Sequence, residues 1–298
     1  MFLKGTLPDR RRGRLQELMA ESGRQLRLLE AHNGASAKIV SETAVVQPDG
    51  SVKGFDGIWV SSLTESASRG LPDIELQGMT SRLDLVREML TVTDKPIVVD
   101  GDTGGTIDQL SYTIRSAETL GVSALIIEDK VFPKANSLDV TRAQILEDPE
   151  VFARKIAAGK EAQLSDSFLL IARIESFIAG QGLADALMRS ERYLQAGADG
   201  IVIHSRSKTP DEVRSFALAM RDLGQGRWAD RPLGAIPTTY NSITESALYH
   251  SGFRFVIHAN YLLRSALVAM RGTAETILRY DRSAEAEARC SSLTSFFT

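Results

Sequence analysis

The sequence predicts an α/β protein built as a closed (β/α)8 barrel of the TIM type. Three observations carry this expectation. Eight short apolar runs recur along the 298 residues, each nearly continuous, as strands covered on both faces must be. Amphipathic stretches with helical spacing separate them, the pattern of parallel strands joined by crossover helices. No G-x-G-x-x-G follows the first run, which disfavours an open doubly wound sheet.

Taken in order, a first helix is expected over about residues 10–23, followed by the strand-like run LRLLEAHN. The small residues of GASAKIVSETA, with Ser36 as a cap, favour a helix. Pro48, Asp49 and Gly50 mark a turn, so 43–56 reads as a short hairpin excursion. The other strand candidates are GIWVSS (57–62), PIVVDGD (96–102), ALIIEDK (124–130), FLLIARIES (168–176), GIVIHS (200–205), LGAIPT (233–238) and FRFVIHA (253–259). Between them, TSRLDLVREML, TIDQLSYTIRSAETLG, LADALMRSERYLQAG and SITESALYHSG read as helices. Asp148-Pro149 and Thr209-Pro210 place a capping side chain before a proline, a helix-start signal. No low-complexity linker divides the chain, so one domain over 1–298 is expected, ending in a helical tail at about 283–298.

A hydrophobic content of 43% with 24% charged residues suits a protein with a sizeable core. The net charge of -3 disfavours nucleic acid as a partner, and the basic run Arg10, Arg11, Arg12 and Arg14 reads as an exposed helix face. Cys290 is the only cysteine, which excludes an intrachain disulfide or a thiolate metal cluster. No stretch is apolar enough for a membrane helix and the start lacks a signal-peptide core, so a cytoplasmic location is expected.

In a parallel barrel the site lies at the C-terminal strand ends. Those ends supply Trp59, Ser61, Asp100, Asp102, Glu128, Arg173, Glu175, His204, Ser205, Thr238 and His258. Carboxylates gathered at one mouth repel unless a cation compensates, and oxygen ligands with few histidines suit Mg²⁺ rather than zinc. Asp100, Asp102 and Glu128 are the candidate metal residues. Arg173, after the apolar run LLIA, offers a planar fork for phosphate or carboxylate, or a salt bridge to Glu175 or Glu128. His204 either donates to an anionic oxygen or is a satisfied core histidine. Lys134 and Asn136 follow a strand end in a loop that could close over a bound anion. The residues alone support a metal-assisted reaction on a small, multiply anionic substrate without choosing the reaction.

EDKVFPKANSL, GIWVSSL, DGDTGG, IARIESFIAG and ADGIVIHSRSKTPDE together resemble the phosphoenolpyruvate mutases of the isocitrate lyase superfamily, over about Glu30 to Met270. That resemblance implies a barrel whose last helix is swapped between subunits of a homodimer or homotetramer. It also implies Mg²⁺ near Asp100, with Asp102, Glu128 and Asp73 acting mostly through water. Backbone amides near Ser61, Ser62 and Leu63 would cradle substrate, and Trp59 would line the pocket. Asn136, Arg173 and His204 would meet the phosphoryl group, joined by Ser61, and Lys134 would belong to a gating loop. The implied reaction interconverts phosphoenolpyruvate and phosphonopyruvate, with phosphonopyruvate hydrolysis as the nearest rival. A C–C lyase of the superfamily is a more distant rival, because KVFPKAN stands where those enzymes carry a catalytic cysteine motif. Four features depart from the family: Ser62 replaces a glycine, Gly105-Thr106 shortens a loop, 43–56 resembles an insertion, and His258 replaces an aromatic residue.

Overall fold

The computed structural model describes residues 4–21 and 23–296. Helix α1 (Pro8–Ala20) begins earlier than expected because Pro8 takes the first helical turn, where its missing N–H costs nothing. Strand β1 (Leu26–Glu30) leads to α2 (Gly34–Glu42). Asn33, not Ser36, caps α2: its side chain accepts from Ser36 N, while the Ser36 hydroxyl accepts from Asn33 N. The excursion is the expected hairpin, β2 (Ala44–Val46) against β3 (Val52–Gly54).

The barrel resumes with β4 (Gly57–Val60), the short α3 (Ser62–Ser68), α4 (Met79–Leu90), β5 (Ile97–Asp100) and α5 (Ile107–Leu120). Strand β6 (Ala124–Glu128) is followed by a long loop and α6 (Pro149–Ala162), whose first amides are capped by Asp148. Then come β7 (Leu169–Ile174), α7 (Gly182–Gln195), β8 (Gly200–Ile203) and α8 (Asp211–Met220). The Thr209 cap does not form, since Pro210 holds the cap position and the Thr209 hydroxyl bonds Asp211 instead. The last elements are β9 (Leu233–Ala235), α9 (Glu245–His250), β10 (Phe255–His258), α10 (Tyr261–Tyr280) and α11 (Ala284–Glu287). The tail expected at 283–298 is therefore α11 and a 3-10 turn at Leu293–Phe296, with 297–298 outside the described residues.

Eight parallel strands close in the order β1-β4-β5-β6-β7-β8-β9-β10, back to β1. Alternation along each strand sorts side chains between two cores. Ile58, Ile97, Val99, Leu125, Ile127, Leu170, Ile201 and Ile203 pack outward under the helices. Trp59, Val98, Ala124, Ile126, Ile171, Val202, Phe255 and Ile257 fill the barrel, with Leu15 and Leu18 of α1 packed into the same interior cluster. Continuing the inward parity by two residues brings Ser61, Asp100, Glu128, Arg173 and His204 to the open end. Glycine is needed at position 101, where a Cβ would lie 2.8 Å from Ile127 Cγ2.

Candidate active site

The acidic side of the mouth is organised by a buried arginine that sequence reading passes over. Arg82 projects from α4, on the same helix face as Val86 and Met89. Its Nε donates to Glu65 Oε2 at 2.8 Å, and its Nη1 donates to Asp100 O at 2.6 Å and Asp102 Oδ2 at 2.8 Å. Burial would push this guanidinium down, but Asp102, Glu65 and Asp100 outweigh that and hold it protonated. The one available signal was a charge on an otherwise apolar helix stripe. Asp102 adopts φ 50, a left-handed conformation that aspartate tolerates better than most residues, and its amide donates to Asp100 Oδ1 at 3.2 Å.

Ser62 opens α3 without a positive φ, so serine costs nothing where a glycine was the expectation. Its hydroxyl donates to Asp100 Oδ2 at 2.9 Å and accepts from Lys134 Nζ at 2.9 Å. Lys134 is not merely above the site. Its ammonium lies within the acids, 2.7 Å from Asp102 Oδ1, 3.4 Å from Asp73 Oδ2 and 3.7 Å from Glu128 Oε1. Burial opposes its charge, yet Asp102, Glu128, Asp73 and Asp100 raise its pKa well above the usual lysine value. Arg82 and Lys134 likewise hold Asp102 well below the usual carboxylate range despite its burial.

Across the mouth, Glu128 and Arg173 are register partners on β6 and β7, with Arg173 Nη2 3.2 Å from Glu128 Oε2. Both salt bridges raised as alternatives for Arg173 are present, since its Nε also donates to Glu175 Oε1 at 2.5 Å. Arg173 Nη2 reaches Ser137 Oγ at 2.9 Å and His204 Nδ1 at 2.8 Å. His204 Nδ1 is also 2.9 Å from Glu175 Oε1. Burial, then Arg173, pushes His204 below the ordinary histidine value, so the ring is neutral near pH 7. Glu175 stays ionised because Arg173 and Lys130 outweigh its burial. Glu175 and Lys130 thus brace the basic wall from behind. Asp129 completes the brace by accepting from Glu175 N at 2.9 Å.

The loop after β6 closes over these groups. Asn136 Nδ2 donates to Asp73 Oδ2 at 2.6 Å, and Ser137 donates to Glu175 Oε2 at 2.6 Å. A cavity of about 40 Å³ beneath the loop is lined by Trp59, Ser61, Ser62, Leu63, Asp73, Asp100, Lys134, Asn136, Arg173, His204 and Thr238, among others. That is room for only about three waters. Five strand-end candidates fall outside the lining: Asp102, Glu128 and Glu175, which are paired with the lining residues Lys134 and Arg173, and His258 and Ser205, which turn elsewhere. His258 has outward parity and meets Glu245 at 3.0 Å beside β2–β3, and the Ser205 hydroxyl donates to Glu212.

The oxygen-rich donors fit a hard cation. Both Glu128 carboxylate oxygens are buried without a hydrogen-bond donor, and the facing groups are carboxylates and a hydroxyl rather than thiolates or imidazoles. Among the described residues, no three acidic, histidine or cysteine groups form a ready-made metal cage. The arrangement instead suits an ion that keeps most of its waters and takes one or two carboxylates directly, as Mg²⁺ does.

The model of the family described as phosphoenolpyruvate phosphomutase matches residues 15–278. The phosphoenolpyruvate phosphomutase of Tetrahymena pyriformis is 38% identical over 252 residues, covering 84% of this chain and 78% of that protein. The crystal structure of the phosphoenolpyruvate phosphomutase from Streptomyces platensis subsp. rosaceus superposes with a TM-score of 0.84 at 36% identity, covering 95% and 93% of the two chains. A phosphonopyruvate hydrolase crystallised with oxalate and Mg²⁺ gives a TM-score of 0.81 at 32% identity, covering 98% and 94%. With that match spanning most of the barrel, the chain is an enzyme of the phosphoenolpyruvate phosphomutase family.

Proposed function

We propose that the protein interconverts phosphoenolpyruvate and phosphonopyruvate with Mg²⁺ as cofactor. The observation that carries this reading is the opposition of two walls in one cavity: Asp100 and its acidic neighbours on one side, Arg173, His204 and the loop residue Asn136 on the other. In the forward direction the P–O bond breaks with its electron pair left on the enol oxygen. C3 of the resulting pyruvate enolate then attacks phosphorus, so atoms and charge balance with no proton gained or lost. Asp100, with Asp73, Asp102 and Glu128 around it, would hold Mg²⁺, whose charge would neutralise that of the enolate. Arg173 carries the positive charge that the transferring PO₃ group needs, and neutral His204 contributes a polar ring beside it. Ser61, Ser62 and Leu63 at the start of α3 line the same cavity, and their backbone amides would hold the carboxylate end, Ser62 N giving up the 3.3 Å bond it makes to Asp100 Oδ2. Trp59 closes its floor.

The rival outcome, hydrolysis, differs only in whether water reaches the phosphoryl group, and that makes Asn136 the discriminating residue. It is held over the cavity by Asp73 at 2.6 Å. Asn136→Ala is expected to slow isomerisation about 10- to 100-fold and to let free phosphate appear, because a donor and a water barrier are lost together. Phosphorus NMR of enzyme, Mg²⁺ and phosphonopyruvate separates phosphoenolpyruvate, phosphate and unreacted substrate in one spectrum. Phosphate as the sole product of the wild type would replace the mutase reading with a hydrolase. An unchanged rate and product ratio in the variant would remove Asn136 from the phosphoryl group.

Homo-oligomerisation with exchange of the last helix belongs to the same reading. In α10, Leu263 is the only buried residue, and Leu267, Val268, Met270 and Leu278 are exposed. Beside β1 and β10, a groove of about 670 Å³ lies between Thr43, Val45, Phe55, Glu245 and Tyr261. The exposed stripe of a second copy's α10 is suited to that groove. Val268→Glu with Leu278→Glu should shift the mass seen by light scattering toward the monomer; an unchanged mass would dismiss the exchange.

A further inference from the structure

The loop over the cavity has a closed neck, with Val131 N donating to Ile145 O at 3.1 Å and Lys130 bridged to Leu146. Something must therefore hold its far end down. Asp73 engages the Asn136 and Lys134 side chains, which take part in the proposed chemistry. Two residues on, Glu75 makes a different kind of contact. Its Oε2 accepts the main-chain N–H of Lys134 at 2.7 Å. Its Oε1 accepts Thr103 N at 3.0 Å and the Thr103 hydroxyl at 2.8 Å. One carboxylate thus ties together three segments: the α3–α4 connection, the turn after β5 that carries Asp102, and the loop after β6. Glu75 does so from a backbone at φ 56, a left-handed conformation disfavoured for a residue with a Cβ. Strain of this kind persists where surrounding bonds fix it, and the three acceptor contacts are those bonds. Glu75 is absent from the lining of the cavity, and both its oxygens are taken up by Thr103 and the Lys134 main chain.

We propose that Glu75 is a positioning residue, the latch that holds the 131–145 loop shut over the cavity and aims Lys134 and Asn136 through the main chain of that loop. The inference rests on the mutase reading only for what the latch accomplishes, which is to keep water out during transfer. Its mechanical part stands apart from any reaction. Both carboxylate oxygens are used as acceptors, and a glutamine of the same shape has only one to offer. Glu75→Gln must therefore turn an N–H₂ toward either Lys134 N or the Thr103 pair, and one side of the clasp opens.

Hydrogen exchange read by mass spectrometry on the full-length protein tests this. In Glu75→Gln, peptides covering 131–145 should exchange about tenfold faster or more, since charge-assisted bonds of this kind are among the stronger ones. Peptides of β5 and β6 should keep their wild-type rates. Thr103→Val, which removes one of the two donors anchoring Oε1, should speed the same loop peptides by a smaller factor. With phosphonopyruvate and Mg²⁺, the phosphate share of product should rise at least about fivefold in Glu75→Gln, as expected when a closing loop fails to exclude water. Unchanged loop exchange in Glu75→Gln overturns the latch. Equal acceleration in β5 and β6 overturns it too, because Glu75 would then serve general stability. If wild-type enzyme fails to convert phosphonopyruvate while loop exchange responds as stated, the reaction reading falls and the latch stands.

Discussion

Asp100→Ala is expected to lower conversion of phosphonopyruvate to phosphoenolpyruvate at least about a thousandfold, because charge stabilisation by a bound cation contributes several kcal/mol to such reactions. The barrel should survive. Asp100 ends β5 with its side chain at the cavity, and its loss leaves the Ser62 amide, the Ser62 hydroxyl and the Asp102 amide without their acceptor. Three such donors beside a wet cavity cost about 1–3 kcal/mol together, a modest part of a domain's stability. Initial rates by phosphorus NMR and a thermal melt by circular dichroism check both halves. Retained activity would remove Asp100 from the cation site, and loss of cooperative melting would make the variant uninformative on mechanism, in which case Asp100→Asn carries the same test with the side chain's shape and one of its two acceptor oxygens kept.

Arg173→Lys should reduce kcat about 100- to 1000-fold with a far smaller effect on melting. The charge survives, but the fork does not. Arg173 spans Glu175 with Nε and Ser137, His204 and Glu128 with Nη2, a reach that a single ammonium cannot reproduce. Arg173→Ala is the contrasting variant. It leaves the buried Glu128 and Glu175 with only Lys134 and Lys130 as cationic neighbours, and breaking a buried ion pair costs about 3–5 kcal/mol. A lysine variant with near wild-type kcat would show that only charge matters there and would dissolve the proposed basic wall.

Why the sequence reveals some of this and hides the rest comes down to parity and closure. Each barrel strand announces itself as an apolar run, and inward parity from Trp59, Val98, Ile126, Ile171 and Val202 leads to Ser61, Asp100, Glu128, Arg173 and His204. The same rule disposes of His258 and Ser205: counted from Ile257 and Val202, both are out of phase with the mouth. Asp73 lies in a connection rather than at a strand end, so it entered only through family resemblance. Arg82, Glu65, Glu75 and Lys130 were missed because their roles exist only after the barrel closes and brings α4, the α3–α4 connection and the β6 loop against one another. On a linear reading each is an ordinary charge on a helix or in a loop. The Ser36 and Thr209 caps were misplaced by a few residues for a local reason, competition among neighbouring hydroxyls and amides for the same helix end.

Arg82 has a bearing on engineering. Its guanidinium is sealed within the protein and answers to Glu65 on one flank and Asp100 and Asp102 on the other, so the interior and the catalytic rim share a single ion. A designer seeking a hardier catalyst would gain nothing by swapping that network for grease, attractive as such swaps are in other proteins. Every alteration there would also retune the field felt by the substrate. Hardening should begin instead on the outer surface, at sites such as Leu7 or Leu164, which lie away from the cavity and its loop.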